Sequence, residues 1–206
     1  MMFDSGISAE ELILRLDEEA DIARPILKQS YIEWLNAAEQ LLYSEIIHEQ
    51  HKAEIDGNNI IDGALDLSVV TVPDGADSLR FEDIYTVFCG DRQLIRTNRA
   101  SGDIFRDVYF KADGALGINC DMTRIYGIRL IYYIRPKLKT IGSDGAANGN
   151  IMLPPEFVPL ISAKLRGEAY KIANEDALSA KWINDYNILL ETFKAWLSGK
   201  QSEFGI

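Results

Sequence analysis

The sequence contains few of the side chains that bind metal ions or act as nucleophiles. Its 206 residues include two histidines and two cysteines. Cys89 and Cys120 lie 31 positions apart, which excludes a C-x-x-C redox pair and a metal knuckle, and their strand-like surroundings favour two buried free thiols. The scarcity argues against thiol redox chemistry and against a cysteine-based zinc site.

Long apolar runs are also missing. No run approaches the roughly 18 residues that a membrane span needs, and residues 1–11 lack the basic-then-apolar layout of a signal peptide. We therefore expect a protein made in the cytoplasm of the cell that produces it. The hydrophobic content of 47% is that of a globular chain, and the length suits a single structural domain over residues 1–206.

Basic residues are scarce at the N-terminal end. The net charge is −11, and residues 1–60 hold 13 acids against 4 bases, so this end alone contributes −9. Such acidity repels nucleic-acid phosphates and argues against sequence-specific DNA binding. Residues 92–139, in contrast, hold 10 bases and 4 acids, a local net of +6.

This charge separation has two interpretations. One is an unevenly charged surface without a function. The other is a head-to-tail contact between identical subunits, in which the acidic helices of one copy meet the basic strands of the next and a ring results when the rotation closes. The candidate interface residues are the acids Asp17, Glu18, Glu19 and Asp21 and the bases Arg124, Arg129, Arg135, Lys137 and Lys139.

Helical periodicity is confined to the two ends of the chain. A capping box of Ser8 and Glu11 predicts a first helix that ends before Pro25, and a second box of Ser30 and Glu33 predicts a helix that runs to about His51. After residues 154 and 155, both proline, helices are predicted up to residue 197, with Asn174 as an internal N-cap and Ser198-Gly199 as the stop. Residues 198–206 are predicted to form a mobile tail.

Residues 64–136 have a different texture, with short β-branched and aromatic runs separated by glycine-containing turns. The runs 65–72, 81–88, 93–97, 104–110, 115–120 and 126–135 predict five or six strands. Residues 142–150 have little apolar content and predict a flexible loop. We therefore predict an α+β fold: a helical core formed by helices within 8–51 and 154–197, with an antiparallel β-sheet or small β-sandwich as an insertion.

Every near-match to a catalytic or binding motif fails on spacing. His48 and His51 are three positions apart on the predicted helix, whereas H-E-x-x-H needs four and a glutamate next to the first histidine. Asp56 and Asp62 resemble a calcium loop but lack its closing glutamate, so a turn is favoured. The glycines of 142–149 precede no Lys-Ser or Lys-Thr, and no G-x-S-x-G is present. We expect no catalytic, cofactor-binding or metal-binding residue.

Five stretches are spread over most of the chain, at residues 32–39, 131–136, 153–157, 166–170 and 182–186, and read IEWLNAAE, IYYIRP, LPPEF, RGEAY and WINDY. In these stretches and in the order of its segments, the chain resembles phage head-to-tail connector or adaptor proteins. The resemblance implies a mechanical role: a ring of about twelve copies between the portal and the tail or nozzle proteins, through which DNA passes without sequence-specific binding. It also implies a place at the neck of the virion.

Three alternatives stay open at this point. Another phage neck, tail-completion or minor capsid protein has the same size, acidity and lack of chemical motifs. An enzyme with a nonstandard site would have to use His48, His51 or the acids near Asp17. A non-viral binding module would use the strand-rich insertion.

Overall fold

The fold is α+β, as the sequence predicts, and it is described from a computed structural model. The structure describes residues 3–19, 25–48, 50–97, 107–120 and 127–204. The chain divides into two compact units. Residues 1–47 and 136–206 form the first, called here the helical unit, and residues 48–135 form the second, called the strand unit. The inserted unit therefore begins well before the predicted residue 64.

The described part of the helical unit contains four α-helices, α1 Ala9–Glu19, α2 Lys28–Leu42, α3 Val158–Ile172 and α4 Asp176–Phe204. The first helix begins as predicted, because Ser8 Oγ accepts a hydrogen bond from the Glu11 amide at 3.1 Å. The helices bury their apolar faces, with Ile13, Leu35 and Leu160 fully covered. Near the middle of α4, Phe193 packs on Phe157 with ring centroids 4.8 Å apart.

The second helix differs from its prediction at both ends. It begins at Lys28 without a side-chain cap, and after Leu42 it widens into a π-helical turn, Tyr43–Ile47. His48 then adopts a φ of 43°, and the strand β1, Gln50–Asp56, follows. The prediction of a helix to His51 is wrong because the pairing of β1 with a strand far along the chain overrides the local helical pattern.

Residues 136–150, called here the strap, are hydrogen-bonded along their length to α1 and α2. The side chain of Asn36 bonds both backbone groups of Lys139, at 2.8 and 2.9 Å, and Gln40 donates to the Pro136 carbonyl at 2.8 Å. Glu10 accepts from the Ala147 amide at 2.7 Å. Side chains of α1 and α2 bond backbone groups of the predicted loop, at Ala147 and Gly145, so part of residues 142–150 packs on the helices. The flexibility of this segment stays a prediction.

A Schellman motif joins α3 to α4. Asn174 has a φ of 62°, its amide donates to the Lys171 carbonyl at 3.2 Å, and the Glu175 amide donates to the Tyr170 carbonyl at 2.9 Å. Asn174 thus ends α3 and is not the predicted N-cap of α4, because asparagine tolerates the left-handed conformation that this motif requires.

Helices α3 and α4 approach each other closely at Gly167. A Cβ at this position would lie 3.0 Å from Ile183 Cγ1, and Ser179 Oγ donates to the Gly167 carbonyl at 2.9 Å. We expect Gly167→Val to lower the free energy of unfolding by about 2–3 kcal/mol, because the added methyl groups overpack the contact. Urea denaturation measures this. The control is Gly199→Val, at a helical glycine with open space around it, where a change within about 0.5 kcal/mol is expected. Equal losses would contradict the close approach.

The last helix continues through Ser198-Gly199 to Phe204, so the prediction that it stops at Ser198-Gly199 is wrong. The predicted mobility of this end stays a prediction. Ser198 Oγ turns back to the Lys194 carbonyl at 2.9 Å. An isolated glycine costs a helix only about 1 kcal/mol. Residues 205 and 206 lie outside the described residues.

The described strands of the strand unit form two sheets. One is antiparallel with the order β1-β9-β4-β5, and the other is mixed with the order β2-β3-β8-β7-β6, in which β6 and β7 are parallel. Besides β1, the strands are β2 Ile60–Ile61, β3 Ala64–Leu65, β4 Ile84–Cys89, β5 Arg92–Gln93, β6 Ile95–Arg96, β7 Val108–Ala112, β8 Ala115–Asn119 and β9 Gly127–Tyr133. The antiparallel prediction thus holds for the first sheet and not for the second.

A disulfide bond between Cys89 and Cys120 links these two sheets. Cys89 ends β4 in the first sheet, and Cys120 directly follows β8 in the second. The prediction of two free thiols is therefore wrong: the fold brings together two cysteines whose proximity depends on how the sheets meet, which spacing along the chain does not reveal.

The loop that resembles a calcium site forms turns, as predicted. Asp56 Oδ1 accepts from the Asn58 amide at 2.8 Å and caps a short 3-10 helix, Gly57–Asn59. Asp62 and Gly63 have φ values of 51° and 74° and connect β2 to β3. Two consecutive positive φ values are what a tight hairpin turn needs, and Asp-Gly supplies them.

Candidate functional site

The helical unit carries an open groove of about 660 Å³ between α3 and α4. Four residues of α3 line it at three- and four-residue steps, Pro159, Ser162, Ala163 and Arg166, and four of α4 face them, Trp182, Asp185, Ile188 and Leu189. Glu19, the last residue of α1, completes the wall. Helical spacing brings each set to one face, and the groove is the gap between the two faces.

Arg166 and Trp182 form a rigid wall of the groove. The Arg166 guanidinium carbon lies 4.6 Å from the centre of the Trp182 ring, and the Lys181 ammonium lies 5.1 Å from the same ring. Arg166 also pairs with Glu19, and 17% of its side chain is exposed. A guanidinium held by an aromatic face and a carboxylate has little freedom, so this wall is preorganised.

On the α4 side of the groove, beyond Trp182, apolar surface is exposed to solvent. Ile188 is 57% exposed and stands beside Leu189 on the last helix. Asp185, one turn before Ile188, forms no ion pair among the described residues. The groove thus combines the apolar side chains of the exposed Ile188 and the half-buried Leu189 with a partly acidic edge. This combination suits contact with another polypeptide more than binding of a small charged molecule.

Three of the four predicted interface acids lie at the end of α1, and one of them lines this groove. Asp17, Glu18 and Glu19 are exposed at the end of α1, as expected for a solvated face, and Glu19 lines the groove itself. Asp17 also acts on Tyr31, whose pKa is raised first by burial and then by this neighbouring carboxylate. Asp21 lies outside the described residues.

The predicted interface bases are mostly engaged within the chain. Arg135 pairs with Asp83 at 2.7 Å and lies 3.6 Å from Asp77. Arg129 lies over the Phe88 ring, 4.4 Å from its centre. Among the described residues, Arg129 and Arg135 are therefore not free to form the charge-based contact predicted for the strand unit. Arg124 is outside the described residues.

Lys139 must be removed from the interface prediction, because its side chain is 2% exposed. It forms a buried ion pair with Glu39 of α2, whose other carboxylate oxygen accepts from the Met152 amide at 2.7 Å. Burial raises the pKa of the Glu39 carboxyl, while Lys139 and the Met152 amide oppose that rise. Lys137, two residues earlier, is exposed.

The two histidines do not share a helix. His48 follows the π-helical turn and meets Tyr133 edge to face, with ring centroids 5.9 Å apart, while His51 lies in β1 opposite Tyr132. Burial lowers the pKa of His51. Across the described ranges, no group of three or more histidine, cysteine or acidic side chains is arranged to hold a metal ion.

A second depression, of about 490 Å³, lies in the strand unit. Glu54, Asp56 and Asp91 border it together with Arg129. The Lys52 ammonium lowers the pKa of the Glu54 carboxyl. The polar rim of this depression consists of solvated side chains at the end of a sheet. No described group in the rim is poised as an acid, base or nucleophile.

The chain matches no protein-family model and no curated protein sequence. Within the described residues, none of the helices has both the length and the apolar content to cross a bilayer.

Sequence reasoning missed the groove. The helix predicted up to residue 197 rests on apolar residues at helical spacing, among them Trp182, Tyr186, Leu189 and Phe193. Asp185 enters the prediction only within the stretch WINDY, and Ile188 does not enter it. One signal was available: Ile188 falls outside the three- and four-residue steps of the stripe that contains Tyr186, Leu189 and Phe193. An isoleucine off the buried face of a long helix indicates exposed apolar surface.

Proposed function

We propose that this protein is a structural component of a phage particle, a head-to-tail adaptor that forms a ring between portal and tail. The observation that carries the proposal is the order of its elements. Helices from both ends of the chain build one unit, and a strand-rich unit interrupts it between residues 48 and 135. This is the layout of the adaptor proteins that the sequence resembles, and a layout of this kind supports assembly without chemistry.

Two surface features support a role in assembly. The α3–α4 groove leaves Ile188 and its neighbours open to another chain. The N-terminal acids Asp17, Glu18 and Glu19 stay exposed, and many copies of such a surface would resist adhesion of DNA that slides past. The place of the protein in the virion and the passage of DNA through its ring are parts of the same proposal.

The test is to mix the purified protein with the portal protein encoded beside it and to image the mixture by negative-stain microscopy. The proposal predicts an added ring of density at one end of the portal and co-elution of the two proteins on gel filtration. The control is the portal mixed with an unrelated acidic protein of similar mass. A mixture that elutes as two separate species, with unchanged portal images, would refute the adaptor function.

A further inference from the structure

We infer that copies of this chain associate head to tail, with the strap of one copy seated in the α3–α4 groove of the next. The contacting parts are residues 137–141 on one side and the groove around Ile188 on the other. This inference deepens the proposed adaptor function and rests on it only for the expectation that the contact closes into a ring. Because the two surfaces differ, each copy bears one of each, and such a contact forms a ring when the rotation from copy to copy closes and an open filament when it does not.

The strap presents an apolar and basic edge to solvent. Leu138 is 50% exposed and Ile141 is 37% exposed, whereas Lys139 between them is turned inward to Glu39. Lys137 is exposed and forms no ion pair among the described residues. The segment is irregular rather than an alternating strand, since Lys139 is the one buried residue among residues 137–141.

The strap is already ordered before any partner arrives. Asn36 bonds both backbone groups of Lys139, and Gln40 bonds the Pro136 carbonyl, so α2 fixes the backbone on both sides of Leu138. Little conformational entropy is then lost on docking. Because these bonds hold the strap on α2 and the groove of the same copy is open, the proposed occupant is the strap of a second copy.

The two surfaces match in chemistry. The groove offers apolar side chains, of which Ile188 is the most exposed, and the strap offers Leu138 and Ile141. At the groove edge, Asp185 has no ion-pair partner within the described part of the chain, and Glu18 stands exposed on the same helix as the groove residue Glu19. Lys137 of the strap supplies the opposite charge. Complementary charge next to complementary apolar surface fixes the partner and the register.

The test uses two variants that each damage one surface, Ile188→Asp in the groove and Leu138→Asp in the strap. Sedimentation velocity is run at up to about 1 mM, which detects contacts with millimolar dissociation constants. The wild type should form species larger than a dimer. Each variant alone should stay monomeric. An equal mixture should form a dimer and nothing larger, because it contains one intact groove and one intact strap that can meet.

The matched control is Ile61→Asp, which replaces a 71% exposed isoleucine of the strand unit and should assemble like the wild type. Circular dichroism melting checks that all three variants fold. A charge exchange gives independent support: Lys137→Glu and Asp185→Lys should each weaken association several-fold, and the two together should restore it.

The inference is overturned if the wild type stays monomeric, if either single variant assembles like the wild type, or if the mixture of the two forms no dimer. These outcomes are distinct from failure of the adaptor function, which portal binding tests separately. Association through another surface, together with portal binding, would remove the strap contact and leave the adaptor function in place. Association that depends on the strap, without portal binding, would remove the adaptor function and leave the strap contact in place.

Discussion

Replacement of Lys139 by methionine is expected to lower the free energy of unfolding by about 3–5 kcal/mol at pH 7. The ammonium group is the ion-pair partner of Glu39, and both side chains are buried. Methionine fills a similar space but leaves the carboxylate with the Met152 amide as its remaining bond donor. The cost comes from an uncompensated buried charge. Urea denaturation of the two proteins measures it.

The loss should depend on pH in a defined direction. Burial raises the pKa of Glu39 above its ordinary value, and removal of Lys139 takes away the group that opposes this most. The folded variant then holds a proton that the unfolded chain releases at the same pH. Its stability therefore rises as the pH falls from above the folded pKa toward the unfolded value. We expect a smaller loss at pH 5 than at pH 7.5.

Lys137→Met is the matched control for this prediction. It removes the same charge two residues away, at an exposed position, and should change the free energy of unfolding by no more than about 0.5 kcal/mol. A second control, Glu39→Gln with Lys139→Met, removes both charges and should recover part of the loss. If the variants at 137 and 139 unfold at the same urea concentration, the buried ion pair is not as the structure has it.

Removal of the Cys89–Cys120 disulfide is expected to lower the stability of the strand unit by about 3–4 kcal/mol, the chain-entropy value for a loop of roughly 31 residues. The bond connects the two sheets of this unit, so the unfolded chain gains freedom once it is cut. Cys89→Ala with Cys120→Ala tests this by urea denaturation.

Reduction of the disulfide in the wild type is the control for this double substitution. Dithiothreitol should destabilise the wild type to the level of the double variant and should leave the double variant unchanged. Alkylation of the denatured, unreduced wild type followed by mass spectrometry is the direct check. Labelling of both cysteines without reductant would contradict the bond.

The fold class could be predicted from the sequence because its signals are local. The Ser8 cap, the apolar steps of α2 and the turn at Asp62-Gly63 all depend on neighbours within four residues. The elements that failed depend on distant partners. Strand β1 forms because it pairs along its whole length with β9, some 70 residues later, and its own sequence reads equally well as the end of a helix.

Prediction from local sequence also fails for the strap and the groove, because both depend on residues that are distant in the chain. Residues 142–150 contain little apolar surface, and their order comes from Glu10, Lys28 and Asn148 contacts that no local pattern announces. From the sequence, Lys139 is predicted to be an exposed charge, but in the fold it is buried because it pairs with Glu39. Charge counts along a chain do not reveal which charges already have partners, so the predicted basic interface lost Lys139 and, in large part, Arg135.

The number of copies bound to each portal ring tests the central claim most directly. Mass photometry of the portal complex, with the portal alone as reference, gives this number from the added mass. The account predicts a closed ring of about twelve copies on every portal and no stable smaller number. A portal whose mass does not change, or that binds single copies without ring closure, would contradict it.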